Sequence, residues 1–345
     1  MEFRLAVKLS VANLKYFKEK NRNLGVDLAR TFAILGVVLV HTTGLWFGRF
    51  GVQLFFMISG FLLANFEIRQ TKKIFLIHRF FRLFPLSIAF LFIFYFSDFD
   101  KMDLVFNLTL FSNLWWSIPK YPGGWSISSE WIFSLILVGI GGFSRSKTYF
   151  LILSSALSSL ALGAYVFLLG GAEISAGVEQ YEFRTWLNTT NPLVNFGFFA
   201  IGIAIKKDYI NLNKVNQYVL LIICILMAVE DKIIGHFLFG WMLALAALFT
   251  MCLKFNSDKC KSDLIIHFIG KRTYGIFFTH FLLLDNSYTM QFYNWLQFPA
   301  GTFFYKIFNF VVVFSLSLIG GSLTYIFIEK PFLILSKNIE IALKK

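Results

Sequence analysis

DLARTFAILGVVLVHTTGLWFGRFGVQLFFMISG, residues 27–60, is the stretch whose reading decides the fold. From Leu28 to about Trp46 it is an apolar run long enough to enter a bilayer as a helix. That helix carries Arg30 near its start and His41 well inside. The two are eleven residues apart. At about 100° per residue this is three turns plus roughly 20°, so both side chains fall on one face, about 16 Å apart along the axis. An ionisable residue deep in a membrane span is expensive to keep there, which makes His41 a functional candidate.

Composition extends this to the whole chain. Of 345 residues, 57% are hydrophobic, 19% aromatic and only 15% charged, against about 25% charged in soluble domains. The expected fold is all-α, a polytopic integral membrane helical bundle of about ten transmembrane helices. The apolar runs are 28–46, 50–66, 80–97, 125–143, 149–170, 192–205, 218–229, 234–253, 264–284 and 303–328. The run 104–118 is studded with Asn, Ser and Thr and ends in Trp115 and Trp116. It reads as an interfacial helix or a re-entrant piece, with a full extra span as the rival.

Charge gives the orientation. With both termini cytoplasmic, the inner segments hold 26 of the 32 Lys and Arg, as the positive-inside rule requires. The net charge of +13 is then largely topological, and nucleic acid is not an expected partner. Residues 1–27 are too charged for a signal peptide and read as a basic segment on the inner membrane surface. Residues 28–333 form the membrane domain and 334–345 a cytoplasmic tail. Cys224, Cys252 and Cys260 show no metal spacing and no disulfide framework, and no metal site is expected.

Polar residues inside the spans come next. Arg79 and Arg82 sit three apart, on one face at the start of the third span. They read either as positive-inside anchors or as a fork for phosphates, which guanidinium groups bind bidentately. His78 beside them reads as interfacial. The fourth span opens GGWSISSEWIF (123–133), which places Glu130 about one and a half turns inside and Ser126 on the same face. His41 lies at a similar depth, so an imidazole–carboxylate pair between His41 and Glu130 is expected. His280 falls near the outer end of its span as a possible acceptor contact. Ser59 is placed to bond to a neighbouring helix, Trp125 to support the site, and Trp115, Trp116 and Tyr121 to offer a sugar platform. His236, Asp285 and Asn286 stand near outer span ends, and His267 at an inner one.

These pieces, taken in order, resemble the acyltransferase-3 family of integral membrane acyltransferases. The matching stretches are Arg30-x10-His41, FGVQLFFMISGFLL (50–63), Arg-x-x-Arg (79–82), GGWSISSEWIF (123–133), YGIFFTH (274–280) and IEKPF (328–332). The likeness runs from about residue 25 to 333. Two departures, Lys330 where Arg is commoner and no Trp before His280, leave the proposed chemistry untouched. The likeness is to the form without a fused esterase-like domain.

The resemblance implies an inner-membrane O-acetyltransferase with no permanently bound cofactor. Acetyl-CoA would be the donor substrate, and a cell-surface glycan or its polyprenyl-linked precursor the acceptor, beside membrane lipid. Arg30, Arg79 and Arg82 would hold the phosphates of coenzyme A. His41 would act as general base, or carry the acyl group covalently, and Glu130 would orient it. A transporter, flippase or polymerase of a lipid-linked glycan is the alternative. A transporter would favour interrupted spans and repeat symmetry, neither of which is evident.

Overall fold

The computed structural model describes residues 22–45, 48, 50–66, 70–95, 101–113, 121–170, 190–210, 218, 222, 238–255, 261–284 and 303–344. Among them every regular element is helical. In chain order these are α1 (Leu24–Thr43), α2 (Gly51–Leu63), α3 (Lys72–Tyr95), α4 (Lys101–Leu108), α5 (Gly124–Ile140) and α6 (Arg145–Gly170). They continue with α7 (Pro192–Lys206), α8 (Leu238–Lys254), α9 (Lys261–Leu284) and α10 (Phe303–Thr324). A π-helical segment, Tyr325–Glu329, then runs on into α11 (Lys330–Leu343).

Three helical stretches are long and apolar enough to cross a membrane, at Leu24–Thr43, Lys72–Phe94 and Phe303–Leu343. Shorter apolar helices occupy Gly51–Leu63, Gly124–Ile140, Pro192–Lys206 and Trp241–Lys254. Together they give the chain its membrane character. The run 218–229 lies outside the described residues apart from 218 and 222, as do Trp115, Trp116, His236, Asp285, Asn286, Cys224, Cys260 and residues 1–21.

Three boundaries differ from the expectation, each because polar residues join a helix at its end. Asn23 caps α1 by accepting a hydrogen bond from the Val26 amide at 3.1 Å, so the helix starts a turn early and takes in Asp27. The run KKIFLIHRFFR is already helical, so Arg79 lies seven residues into α3, about 10 Å from its start rather than at its mouth. The expected tail 334–345 is mostly α11, which packs on α3 with His78 Nε2 3.2 Å from Glu340. The 41 residues from Phe303 to Leu343 span about 60 Å, twice a hydrocarbon core of about 30 Å. The last turns therefore lie beyond the apolar layer.

The 104–118 stretch makes no full span among its described residues. α4 is eight residues long and ends in a turn where Leu110 adopts φ 58°. The chain then dips into the bundle. Asn113 is fully buried and donates to Ser129 Oγ at 2.7 Å and the Thr190 carbonyl at 2.6 Å.

Packing is closest where α2 crosses α7. A Cβ on Gly60 would collide with the Phe199 carbonyl, and one on Gly202 with that of Met57. Bare backbones thus meet, as in membrane helix pairs built on small residues. Phe56, Phe133, Phe196 and Phe199 interlock beside this crossing, with ring centroids 5.0 to 5.4 Å apart from Phe56 to Phe133 and from Phe133 to its two partners. Phe150, Phe303, Phe304 and Phe327 are instead about 70% exposed. A lipid-facing surface accommodates them where water would not.

Candidate active site

Two polar constellations sit at different depths in the bundle. One is a cavity of about 140 Å³ among α1, α2, α3, α5 and α9, whose polar lining includes Arg30, Ser59, Arg79, Arg82, Ser126 and Glu130. Helical spacing assembles it: Arg79 and Arg82 are three apart on α3, and Ser126 and Glu130 four apart on α5. Arg79 Nη2 donates to Glu130 Oε1 at 2.6 Å, and Arg79 Nε to Ser134 Oγ at 3.0 Å. Ser59 Oγ donates to the same Glu130 oxygen at 2.7 Å. Both ions are thus taken out of water as a bonded pair, the arrangement in which buried charge is tolerated.

Arg82 is also matched. Its Nη1 donates to Glu329 Oε2 at 3.0 Å, and its guanidinium lies 5.4 Å from the centre of the Tyr274 ring. Glu329 closes the π-helical segment, a distortion that often marks functional positions. Arg30 stands 3.4 Å from Asp27 Oδ1. Asp27, 1% exposed, further receives Arg22 at 2.5 and 2.8 Å and lies 2.7 Å from His267 Nδ1. Arg79 and Arg82 thus line one cavity, as a phosphate fork would, and each already faces a carboxylate.

The second constellation lies toward the C-terminal end of α1. His41 is exposed there, with its ring 5.4 Å from His280 and 4.8 Å from Phe281. His280 is fully buried. Its Nδ1 is 3.2 Å from the Ile276 carbonyl, which can only accept, so Nδ1 carries the proton. In the neutral ring Nε2 is then an acceptor, and it has no hydrogen-bond partner among the described residues.

The expected pairing of Glu130 with His41 is not formed. A similar depth along two spans leaves the azimuth of each side chain open, and here the two groups belong to different constellations. Glu130 turns toward α2 and α3, where Arg79 reaches up to meet it. Among the described residues the ionisable neighbour of His41 is a histidine, His280.

Phe277 joins the two constellations. It lines the cavity, and its ring lies 5.9 Å from that of His280. Gly123 admits it: its φ is 77°, and a Cβ there would stand 2.7 Å from the Phe277 ring. The backbone conformation and the close approach both call for glycine.

The remaining expected site residues fall into place around this frame. Ser126 lines the cavity and donates to the Gly123 carbonyl at 2.8 Å. Trp125 packs edge-on against Phe56 at 6.1 Å, a packing contact. Tyr121 is buried and bonded to Ser87 at 2.5 Å, so it offers no sugar platform. Asp27, Glu329 and Arg272 escaped the sequence reading. Of these, Glu329 stood in the IEKPF motif, and Asp27 three residues before Arg30. Among the described residues no three His, Cys, Asp or Glu side chains converge as metal ligands.

The profile of the acyltransferase domain family Acyl_transf_3 matches residues 23–323. Among relatives from Staphylococcus aureus, the protein named "Putative O-acetyltransferase SAS0844" (strain MSSA476) is 24% identical, over 92% of this chain and 58% of its own. "Putative O-acetyltransferase SACOL0978" (strain COL) is 25% identical, over 89% and 57%. "O-acetyltransferase OatA" (strain NCTC 8325 / PS 47) is 23% identical, over 89% and 56%. The chain thus spans under three-fifths of the length of these relatives. No solved structure matches it. With the family profile covering nearly all of it, and with the arginines and histidine of the profile region gathered as described, the chain belongs to the acyltransferase-3 family of acyltransferases.

Proposed function

We propose that the chain is a membrane O-acetyltransferase that moves an acetyl group from acetyl-CoA to a hydroxyl of a cell-surface glycan or its polyprenyl-linked precursor. The observation that carries this is Phe277, which lines the charged cavity and lies 5.9 Å from the His280 ring, so that the two constellations adjoin. Lys and Arg distribution supports an orientation with the arginine end toward the cytoplasm of an inner membrane, both termini inside. Acetyl-CoA then approaches from that end, and its pantetheine arm runs past Ser59, Ser126 and Phe277 toward His41. O-acetyl transfer is also what the names of the relatives state for those proteins. A lipid-linked-glycan transporter or polymerase is the weaker reading, since the family match supports group transfer.

In this reading His41 takes the proton from the acceptor hydroxyl as its oxygen attacks the thioester carbonyl carbon. The carbon–sulfur bond breaks, coenzyme A leaves as thiolate, and the imidazolium returns the proton to sulfur. The products are an O-acetyl ester and free coenzyme A. An imidazole with an unperturbed pKa of about 6.5 suits this exchange near neutral pH. His280 has the positioning role first given to Glu130: its bare Nε2 can accept a hydrogen bond from the His41 ring once that ring is protonated. Glu130 holds Arg79 and Ser59 in the cavity wall.

Comparison of the envelope polysaccharide with and without the gene by NMR tests this function. Base-labile O-acetyl signals are expected to vanish on deletion and return with the intact gene. An unchanged O-acetyl content in every envelope glycan would count against it.

A further inference from the structure

Arg79 and Arg82, the obvious cations for a phosphate, are both paired with carboxylates. A buried cation without a carboxylate partner among the described residues lies instead on α9. Among the described residues Arg272 makes no ion pair. Its Nη1 donates to the Phe268 carbonyl at 2.9 Å, and its Nε is buried with no acceptor among the described residues. Nε and Nη2 share one edge of the guanidinium, the edge that takes a phosphate through two parallel bonds.

Two rings fix the plane of that edge. The Arg272 guanidinium carbon is 3.6 Å from the centre of Phe268 and 5.6 Å from that of Tyr325. Lys271 Nζ is 5.2 Å from the same Tyr325 ring. Tyr325 opens the π-helical segment that Glu329 closes, so this group sits beside the Arg82–Glu329 pair at the arginine end of the cavity. Arg22 acts electrostatically on both Arg272 and Arg30. Local charge is thus strongly positive, with Asp27 and Glu329 as the opposing carboxylates described there. A buried N–H with no acceptor among the described residues, on the residue before Thr273 of the cavity wall, has an anion as its natural partner.

We infer that the Nε/Nη2 edge of Arg272, with Lys271 beside it, is an anchoring site for a phosphate ester. Resting on the function proposed above, its occupant is the nucleotide end of the acyl-CoA donor. From Arg272 to His280 is eight residues, about 12 Å of helix, so a donor anchored here extends toward the histidine pair. A phospholipid headgroup carries the same chemical group and is the other source of it.

The full chain, purified in a neutral detergent, is titrated with coenzyme A and with 3′-dephospho-coenzyme A. Arg272→Gln is expected to weaken coenzyme A binding about tenfold to a hundredfold, the loss of one charge-assisted contact. Arg272→Lys restores part of it, because charge remains but the planar edge is gone. If the 3′-phosphate is the anchored group, the Gln effect disappears with the dephospho form. If the diphosphate is, the effect persists. The same variants in nanodiscs are weighed by native mass spectrometry for retained phosphatidylglycerol, which reads the lipid source. Loss of retained phosphatidylglycerol with coenzyme A affinity unchanged assigns the site to a headgroup. A parent chain that binds no coenzyme A, yet loses lipid on Arg272→Gln, overturns the proposed donor and leaves the anchor standing. Unchanged binding of both probes in folded Arg272→Gln or Arg272→Lys chain overturns the site.

Discussion

His41→Gln is expected to turn over acetyl-CoA about 10²–10⁴-fold more slowly than the parent chain, the usual worth of a positioned general base, and to bind the donor about as well. The split follows from where the ring sits. His41 is exposed at the C-terminal end of α1 and meets His280 and Phe281 through ring contacts. Among the described residues its loss removes no side-chain hydrogen bond that holds the bundle. In the proposed reading the donor's phosphates lie toward the arginine end, and Arg30 at that end is about 16 Å from His41 along the helix. Turnover and donor affinity, measured on the same purified chain, give the two numbers. A variant that lost binding and kept its rate per bound donor would place His41 in recognition rather than chemistry.

Glu130→Ala is expected to remove about 3–5 kcal/mol of stability, because it leaves the Arg79 guanidinium buried and unpaired. Arg79 Nη2 and Ser59 Oγ both lose their acceptor. The double variant Glu130→Leu with Arg79→Met should recover much of that loss, since replacing a whole buried pair by apolar groups of similar volume is often neutral. Thermal unfolding in detergent of the two single variants and the double variant yields the coupling. A Glu130→Ala chain as stable as the parent but inactive would return the carboxylate to a direct part in catalysis.

What could be read from the sequence was governed by periodicity. Long apolar runs with few charges gave helices at nearly every expected place, because in lipid a segment must satisfy its own backbone. Spacing also put Arg79 with Arg82 on one face, and Ser126 with Glu130 on another, and the cavity uses both faces. Partners were another matter. Glu130 and His41 were paired from their expected depth alone, but the rotation of α5 about its axis depends on how α2 and α3 pack. The Gly60–Gly202 crossing helps set that packing, and neither glycine carries a signal naming its partner. Asp27 was read as preceding the first helix, and only the Asn23 cap draws it inside, to meet Arg22 and His267. His280 was legible as a polar group in an apolar span, but its unpartnered Nε2 beside His41 is a property of the α1–α9 contact.

The claim at the centre is that an acetyl group enters at the arginine end and leaves through His41. Membrane vesicles of both orientations, carrying the parent or the His41→Gln chain, are given radiolabelled acetyl-CoA from outside, and alkali-labile label on glycan is counted. Inverted vesicles with the parent chain are expected to accumulate label on the lumenal side. Right-side-out vesicles and the His41→Gln chain should show label lower by about 10²-fold or more. Equal labelling in both orientations, or undiminished labelling by His41→Gln, would contradict the account.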